Sequence, residues 1–176
     1  MKKHFSAKND PSKIQSHYYS RWVVLPFALL ASISSGSNYA WSLYSNTFKT
    51  LYRWNQTQIT TLGVANGLGG YVPLPALVMD RFGFLVTMQS GAFLIFAGYF
   101  VSWLVARQTI DGIYGVSFAA NFTWAVGNSF VDSAVMTSAV QNFPQQRGLA
   151  IGLMKGFLGL GAGVLAELYC AIFRPD

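Results

Sequence analysis

The chain has 176 residues, of which 52% are hydrophobic and only 10% are charged. Soluble domains carry about 25% charged residues, so the composition excludes an ordinary water-soluble domain and favours a membrane protein. Twelve Lys and Arg against six Asp and Glu give a net charge of +6, but the basic residues form no stripe along a helix, which argues against nucleic-acid binding.

Residues 1–21 are polar and are predicted to form a basic cytosolic tail. A tail of this kind is attracted to the anionic cytosolic face of a membrane. The basic residues in it are Lys2, Lys3, Lys8, Lys13 and Arg21.

Five apolar stretches follow, and about 20 apolar residues suffice to cross a hydrocarbon core of roughly 30 Å. The sequence therefore predicts an all-α integral membrane protein with a transmembrane domain at residues 22–173. The predicted spans are residues 22–44, 58–79, 84–106, 112–138 and 149–172. A cleaved signal peptide is the alternative for the first stretch, although apolar character resumes at residues 39–43.

The second half of the first span is unusually polar. Ser34, Asn38 and Ser45 share one face by helical spacing. Such a face either forms hydrogen bonds between helices or is a water-accessible surface that faces a solute, and the sequence leaves both interpretations open.

Glycines recur every three or four residues in two of the spans. Spacing of this kind makes a smooth strip on which another helix can pack closely, and we predict helix packing at both strips. The glycines are Gly63, Gly67 and Gly70 in the second span, and Gly152, Gly156, Gly159 and Gly163 in the fifth.

Very few residues separate the second and third spans. This gap contains Asp80, Arg81 and Gly83 and predicts a tight helical hairpin. With the N-terminus inside, seven basic residues of the tail and inner connections are cytosolic and four are outside, which favours a cytosolic N-terminus.

Ionisable groups at membrane depth are costly and mark functional positions. Asp132 and Lys155 each lie about 9 Å from the inner end of adjacent spans, at 1.5 Å per residue. We predict that the two side chains meet, either as a structural pair or as a coupling element of transport. Asn121 and Asn128 lie close to the face of Asp132 and join the candidate polar residues.

The run at residues 80–83, DRFG, resembles the inner-loop signature of the major facilitator superfamily, although Ala76 and Leu85 depart from it. Residues 36–45, 55–70 and 142–169 resemble the nodulin-like branch of that superfamily. The resemblance implies the N-terminal half of a transporter that moves a small solute by alternating access. It also implies that Asp80, Arg81 and Gly83 brace the closed cytosolic side.

A full transporter of this class has about twelve spans, and two halves form the solute site between them. The five predicted spans therefore suggest a truncated N-terminal half, which needs the missing C-terminal half or a partner subunit. The alternative is a non-transporting helical membrane protein that pairs with or modulates another transporter. No paired acids, Ser–His set or metal ligands fall within the spans, so we expect no enzyme, metal or cofactor. The expected partners are the lipid bilayer and an unidentified small solute.

Overall fold

The computed structural model of the chain describes residues 11–110 and 114–173, with side chains from residue 22 onward except at residues 44 and 173. All the regular structure in these ranges is helical. The helices are α1 (Pro11–Ser35), a 3₁₀ segment (Gly36–Ala40), α2 (Trp41–Tyr52), α3 (Gln56–Gly70), α4 (Leu74–Ala106), α5 (Tyr114–Asn142) and α6 (Arg147–Phe173).

The first membrane segment is longer than the predicted span at residues 22–44. Helix α1, the 3₁₀ segment and α2 follow one another without a break from Pro11 to Tyr52. The helix therefore includes residues 11–21 of the predicted tail, whereas residues 1–10 lie outside the described part of the chain.

The second segment is interrupted. Helix α3 ends at Gly70, and α4 begins at Leu74 after three residues that include Pro73. Proline has no amide hydrogen and cannot continue a helical hydrogen-bond ladder, so helices commonly restart after it. The predicted span at residues 58–79 thus consists of two shorter helical pieces.

Helix α4 breaks at Gly83, the position predicted for a turn. Gly83 has φ 80° and ψ −178°, a conformation that is essentially restricted to glycine. Residues 74–82 therefore complete the second segment, and residues 84–106 form the third.

Contacts with α5 establish how the helices run. The Tyr114 hydroxyl donates to the Gln58 carbonyl oxygen (3.1 Å), and the Ser129 hydroxyl donates to the Gly70 carbonyl oxygen (3.3 Å). Helices α3 and α5 therefore run in the same direction. In the third segment the order is reversed, because residue 91 lies beside residue 130 whereas residue 98 lies beside residue 124. The chain consequently turns back between α3 and residue 91.

Helix α5 is the centre of the bundle and packs against α1, α3, α4 and α6. Large apolar side chains of α4 and α6 instead face outward, as shown by Phe93 and Leu149, which are both 70% exposed. Three helical stretches are long and apolar enough to cross a membrane: Trp22–Tyr52, Leu74–Ala106 and Arg147–Ile172. The described part of the chain is thus all-α and multi-pass, with five helical segments, as in part of one half of a major facilitator transporter.

The close contacts between helices are made at glycines outside the two predicted strips. A methyl group at any of these glycines would lie closer than 3.0 Å to a neighbouring helix. They are Gly36, Gly69, Gly91, Gly98, Gly127 and Gly161.

The predicted strips behave differently. A methyl carbon added at Gly63 would be in ordinary contact with the Trp41 indole, at 3.7 Å. Methyl carbons added at the other six predicted glycines would have nothing within 4 Å, namely at Gly67, Gly70, Gly152, Gly156, Gly159 and Gly163. Within the described residues these six do not make the close contacts predicted for them. Helix packing at these six positions stays a prediction.

Candidate functional site

A polar cavity of about 410 Å³ opens between the 3₁₀ segment, α3, α5 and α6. Small-molecule sites typically measure about 300–1,000 Å³. The lining residues are Ser35, Asn38, Tyr39, Asn66, Gly67, Gly70, Tyr71, Ala125, Asn128, Ser129, Asp132, Lys155 and Leu158.

Two local features of the sequence create this space. The 3₁₀ segment, which contains Asn38, interrupts the α-helical hydrogen bonding of the first segment beside the cavity. On the facing helix α3, Gly67 and Gly70 present no side chain, and a methyl carbon added at either would meet no atom within 4 Å. These two glycines therefore widen the cavity.

An ion pair lies in the wall of the cavity. Lys155 Nζ donates to Asp132 Oδ2 at 2.7 Å, and the two side chains are 51% and 29% exposed. The contact predicted from equal membrane depth is therefore confirmed. It arises because α5 and α6 are joined by only four residues, 143–146, so Asp132, ten residues before the end of α5, and Lys155, eight residues after the start of α6, lie at nearly the same level.

Polar atoms without hydrogen-bond partners surround the ion pair. Neither Nδ2 nor Oδ1 of Asn128, which is 3% exposed, has a partner among the described residues. The same is true of Oδ1 in Asp132, Asn66 and Asn38. A buried polar atom without a partner costs about 1–3 kcal/mol, so these atoms favour a polar group, either water or a solute, in the cavity beside them.

The structure brings together four of the five predicted polar residues. Asn38, Asn128, Asp132 and Lys155 all line the cavity. Asn121 is buried further along α5 and donates through Nδ2 to the Ser117 carbonyl oxygen at 2.8 Å. It is absent from the lining and belongs to the packed interior.

The predicted inner-loop residues lie away from this site. Asp80 and Arg81 are exposed, and neither side chain has a hydrogen bond or an ion pair with any other described residue. Gly83 supplies the break between the second and third segments. The bracing role implied by the resemblance stays a prediction.

Sequence reasoning missed Asn66. Its amide Nδ2 donates to the backbone carbonyl oxygen of Asn38 at 3.4 Å, which joins α3 to the 3₁₀ segment across the cavity wall. The signal was present, because an asparagine inside an apolar membrane helix normally faces the bundle interior. Gly63 and Gly67, on either side of Asn66, predict helix packing on the same helix, so Asn66 did not stand out as a candidate site residue.

The polar side chains of the cavity wall are suited to binding a polar molecule. One cation, one anion and several amide groups can replace the hydration of a small polar molecule inside a membrane protein. Among the side chains that the structure describes, which begin at residue 22, no group of three or more His, Cys, Asp or Glu could hold a metal ion.

Comparisons with known proteins agree with this architecture. The family model described as Nodulin-like matches residues 21–176. Protein NUCLEAR FUSION DEFECTIVE 4 of Arabidopsis thaliana is 27% identical over 155 residues, which make up 88% of this chain and 27% of that protein. The Oxalate:formate antiporter of Oxalobacter formigenes is 28% identical over 160 residues, which make up 89% of this chain and 37% of the antiporter.

A third relative is also named as a transporter. The Probable transporter MCH1 of Candida albicans is 28% identical over 149 residues, which make up 83% of this chain and 34% of that protein. The chain thus spans between 27% and 37% of the length of these three curated relatives. No solved structure matches the chain.

Proposed function

The chain belongs to the Nodulin-like family, and from that premise we propose that it is a membrane transporter, or part of one, which moves a small solute by alternating access. The polar cavity with its Asp132–Lys155 ion pair carries the proposal. Charged groups inside a membrane bundle are expensive and mark solute or ion pathways. In transporters of this kind the solute site lies between two structural repeats, so a second half or a partner subunit would complete it.

We assign roles to the predicted site residues on this basis. Asn38 and Asn128 would contact the solute, while Asp132 and Lys155 would couple solute binding to the conformational change. Asp80, Arg81 and Gly83 would brace the cytosolic side when the cavity opens outward. The excess of basic residues in the tail and inner connections supports a cytosolic N-terminus.

Uptake into vesicles tests the proposal. The chain would be reconstituted in proteoliposomes with its natural continuation or partner where one is found. Radiolabelled oxalate, formate and erythritol would serve as probes, the first two because one relative is named as their antiporter. We expect saturable uptake of at least one probe above that of protein-free vesicles.

Variants connect that uptake to the site. Asp132→Asn and Lys155→Met should each reduce uptake by about tenfold or more, because each leaves the other charge unpaired. Glu167→Gln is the matched control, since exposed Glu167 does not line the cavity. Uptake that is unaffected by both cavity variants would contradict a coupling role for the ion pair.

A second candidate function is that of a non-transporting membrane protein that pairs with a transporter. The open glycine strip of α6 favours it, because no other described residue packs on Gly152, Gly156, Gly159 or Gly163 and such strips suit close helix contacts. Copurification of a second membrane protein, lost in Gly156→Leu, together with a failure to transport any probe would support this candidate over the first.

A further inference from the structure

We propose that the α3–α5 wall of the cavity binds the hydroxyl groups of a small polyhydroxy solute, and that Asn128 is the residue that selects them. This inference rests on the proposed function in one respect, since it takes the cavity to be the solute site. It adds the chemical class that this chain's wall recognises.

The unpartnered atoms of the wall define what a ligand must offer. The orientation of Asn66 is fixed by the hydrogen bond that its Nδ2 donates to Asn38, so its Oδ1 is an acceptor without a donor. Asp132 Oδ1 is a second such acceptor. A ligand that fits these two positions must therefore donate hydrogen bonds, which carboxylates cannot do when ionised.

Asn128 requires a ligand group that can both donate and accept hydrogen bonds. Its amide presents a free donor, Nδ2, and a free acceptor, Oδ1, in a side chain that is 3% exposed. A hydroxyl group is at once a donor and an acceptor, so adjacent hydroxyl groups can satisfy both atoms. This fit does not depend on which way the amide is turned.

The charge of the wall disfavours ionised solute groups. Its charged lining residues are Lys155 and Asp132, which already neutralise each other at 2.7 Å. A carboxylate placed against Lys155 would also face Asp132, and an ammonium group placed against Asp132 would also face Lys155. Like charges at such separations repel, whereas an uncharged hydroxyl group meets neither penalty.

Three four-carbon compounds isolate this chemistry. Erythritol carries hydroxyl groups, succinate carries carboxylates, and 1,4-diaminobutane carries ammonium groups on chains of equal length. Binding of each would be measured by saturation-transfer NMR on the whole chain in lipid nanodiscs. We expect erythritol to bind at least about threefold to tenfold more tightly than either charged compound, the difference that one well-made hydrogen bond supplies. Equal or tighter binding of succinate or 1,4-diaminobutane, or no binding of erythritol, would overturn the proposal.

A pair of variants on one helix assigns the selectivity to Asn128. Leucine has nearly the shape of asparagine, so Asn128→Leu should weaken erythritol binding by about threefold to tenfold. Asn121→Leu is the control, because Asn121 is equally buried on α5 but does not line the cavity. Equal losses in both variants would overturn the assignment to Asn128. If Asn128→Leu does not fold, the three compounds on the unaltered chain still decide whether the wall prefers hydroxyl groups, and Asn128→Asp, which removes the amide donor, replaces it as the test of Asn128, with equal erythritol binding in Asn128→Asp and the unaltered chain overturning the assignment.

The outcomes separate this inference from the proposed function. Transport of oxalate with tighter binding of succinate than of erythritol would leave the transporter function standing and remove the hydroxyl site. Binding of erythritol without transport of any probe would support the hydroxyl site and count against the transporter function.

Discussion

Gly36 and Gly161 lie against each other where the first helical segment crosses α6. A methyl group on Gly36 would collide with the carbonyl oxygen of Leu158, and one on Gly161 would collide with the carbonyl oxygen of Ile33. Backbone atoms cannot move aside as flexible side chains do. We therefore expect Gly161→Ala to destabilise the chain by about 1–3 kcal/mol, measured by thermal unfolding in detergent micelles.

Gly159→Ala is the control for that experiment. Gly159 lies two residues away on the same helix, and a methyl group there would meet no atom within 4 Å. Alanine also has the higher helix propensity, so Gly159→Ala should leave the melting temperature unchanged or raise it. Equal destabilisation in the two variants would show that the crossing is not close-packed.

The ion pair gives a second prediction, through a double-mutant cycle. Lys155→Met and Asp132→Asn should each lower the free energy of unfolding by about 1–3 kcal/mol, between the values for exposed and buried pairs. The pair is half-exposed, with 51% of Lys155 and 29% of Asp132 accessible. The double variant should lose less than the sum of the single losses. Strict additivity would mean that the contact contributes nothing to stability.

The break in α4 gives a third prediction. Gly83 adopts φ 80° and ψ −178°, which costs a residue with a side chain about 1–3 kcal/mol. Gly83→Ala should therefore lower the free energy of unfolding by about that amount, as measured by chemical denaturation in micelles. Gly148→Ala serves as the comparison, since Gly148 lies inside a helix where a methyl group would have nothing within 4 Å. A loss in Gly148→Ala as large as that in Gly83→Ala would argue against backbone strain as the cause.

Membrane orientation gives a fourth prediction. Thr57 and Gln145 are exposed and lie at opposite ends of the bundle, because α3 and α5 run in the same direction and Gln145 follows α5. Cys170, an exposed free cysteine, would first be replaced by serine. We expect a membrane-impermeant maleimide to label Thr57→Cys in intact cells or sealed vesicles of native orientation. Gln145→Cys should be labelled only after permeabilisation. The reverse pattern would place the N-terminus outside.

The membrane class and the Asp132–Lys155 contact were predictable from the sequence. The first follows from the length of the apolar runs, and the second from the number of residues between each charge and the connection. Long apolar runs predict helices, and two charges at equal distances from a short connection meet when the helices are antiparallel. The extension of the first segment to Tyr52 was harder to predict. Polar residues such as Ser45 and Asn46 are typical of a loop, yet a helix that continues past the membrane can carry them.

The sequence does not predict which glycines of a strip contact another helix. Spacing identifies a smooth helix face, but the same smooth face can carry a neighbour, border a cavity or lie open. Gly67 borders the cavity, Gly159 lies open, and Gly161 makes the contact. Which glycine faces another helix depends on the crossing of helices distant in the sequence, and no local pattern encodes that crossing.

The buried polar face of α5 has a consequence for biosynthesis. Ser117, Asn121 and Asn128 are each 3% exposed in the finished bundle, and α5 is not one of the three helices apolar enough to qualify as a span by itself. Released singly from the translocon into lipid, α5 would expose these amides and hydroxyls to hydrocarbon. We therefore expect the nascent chain to hold α5 beside its earlier helices until they leave the translocon together.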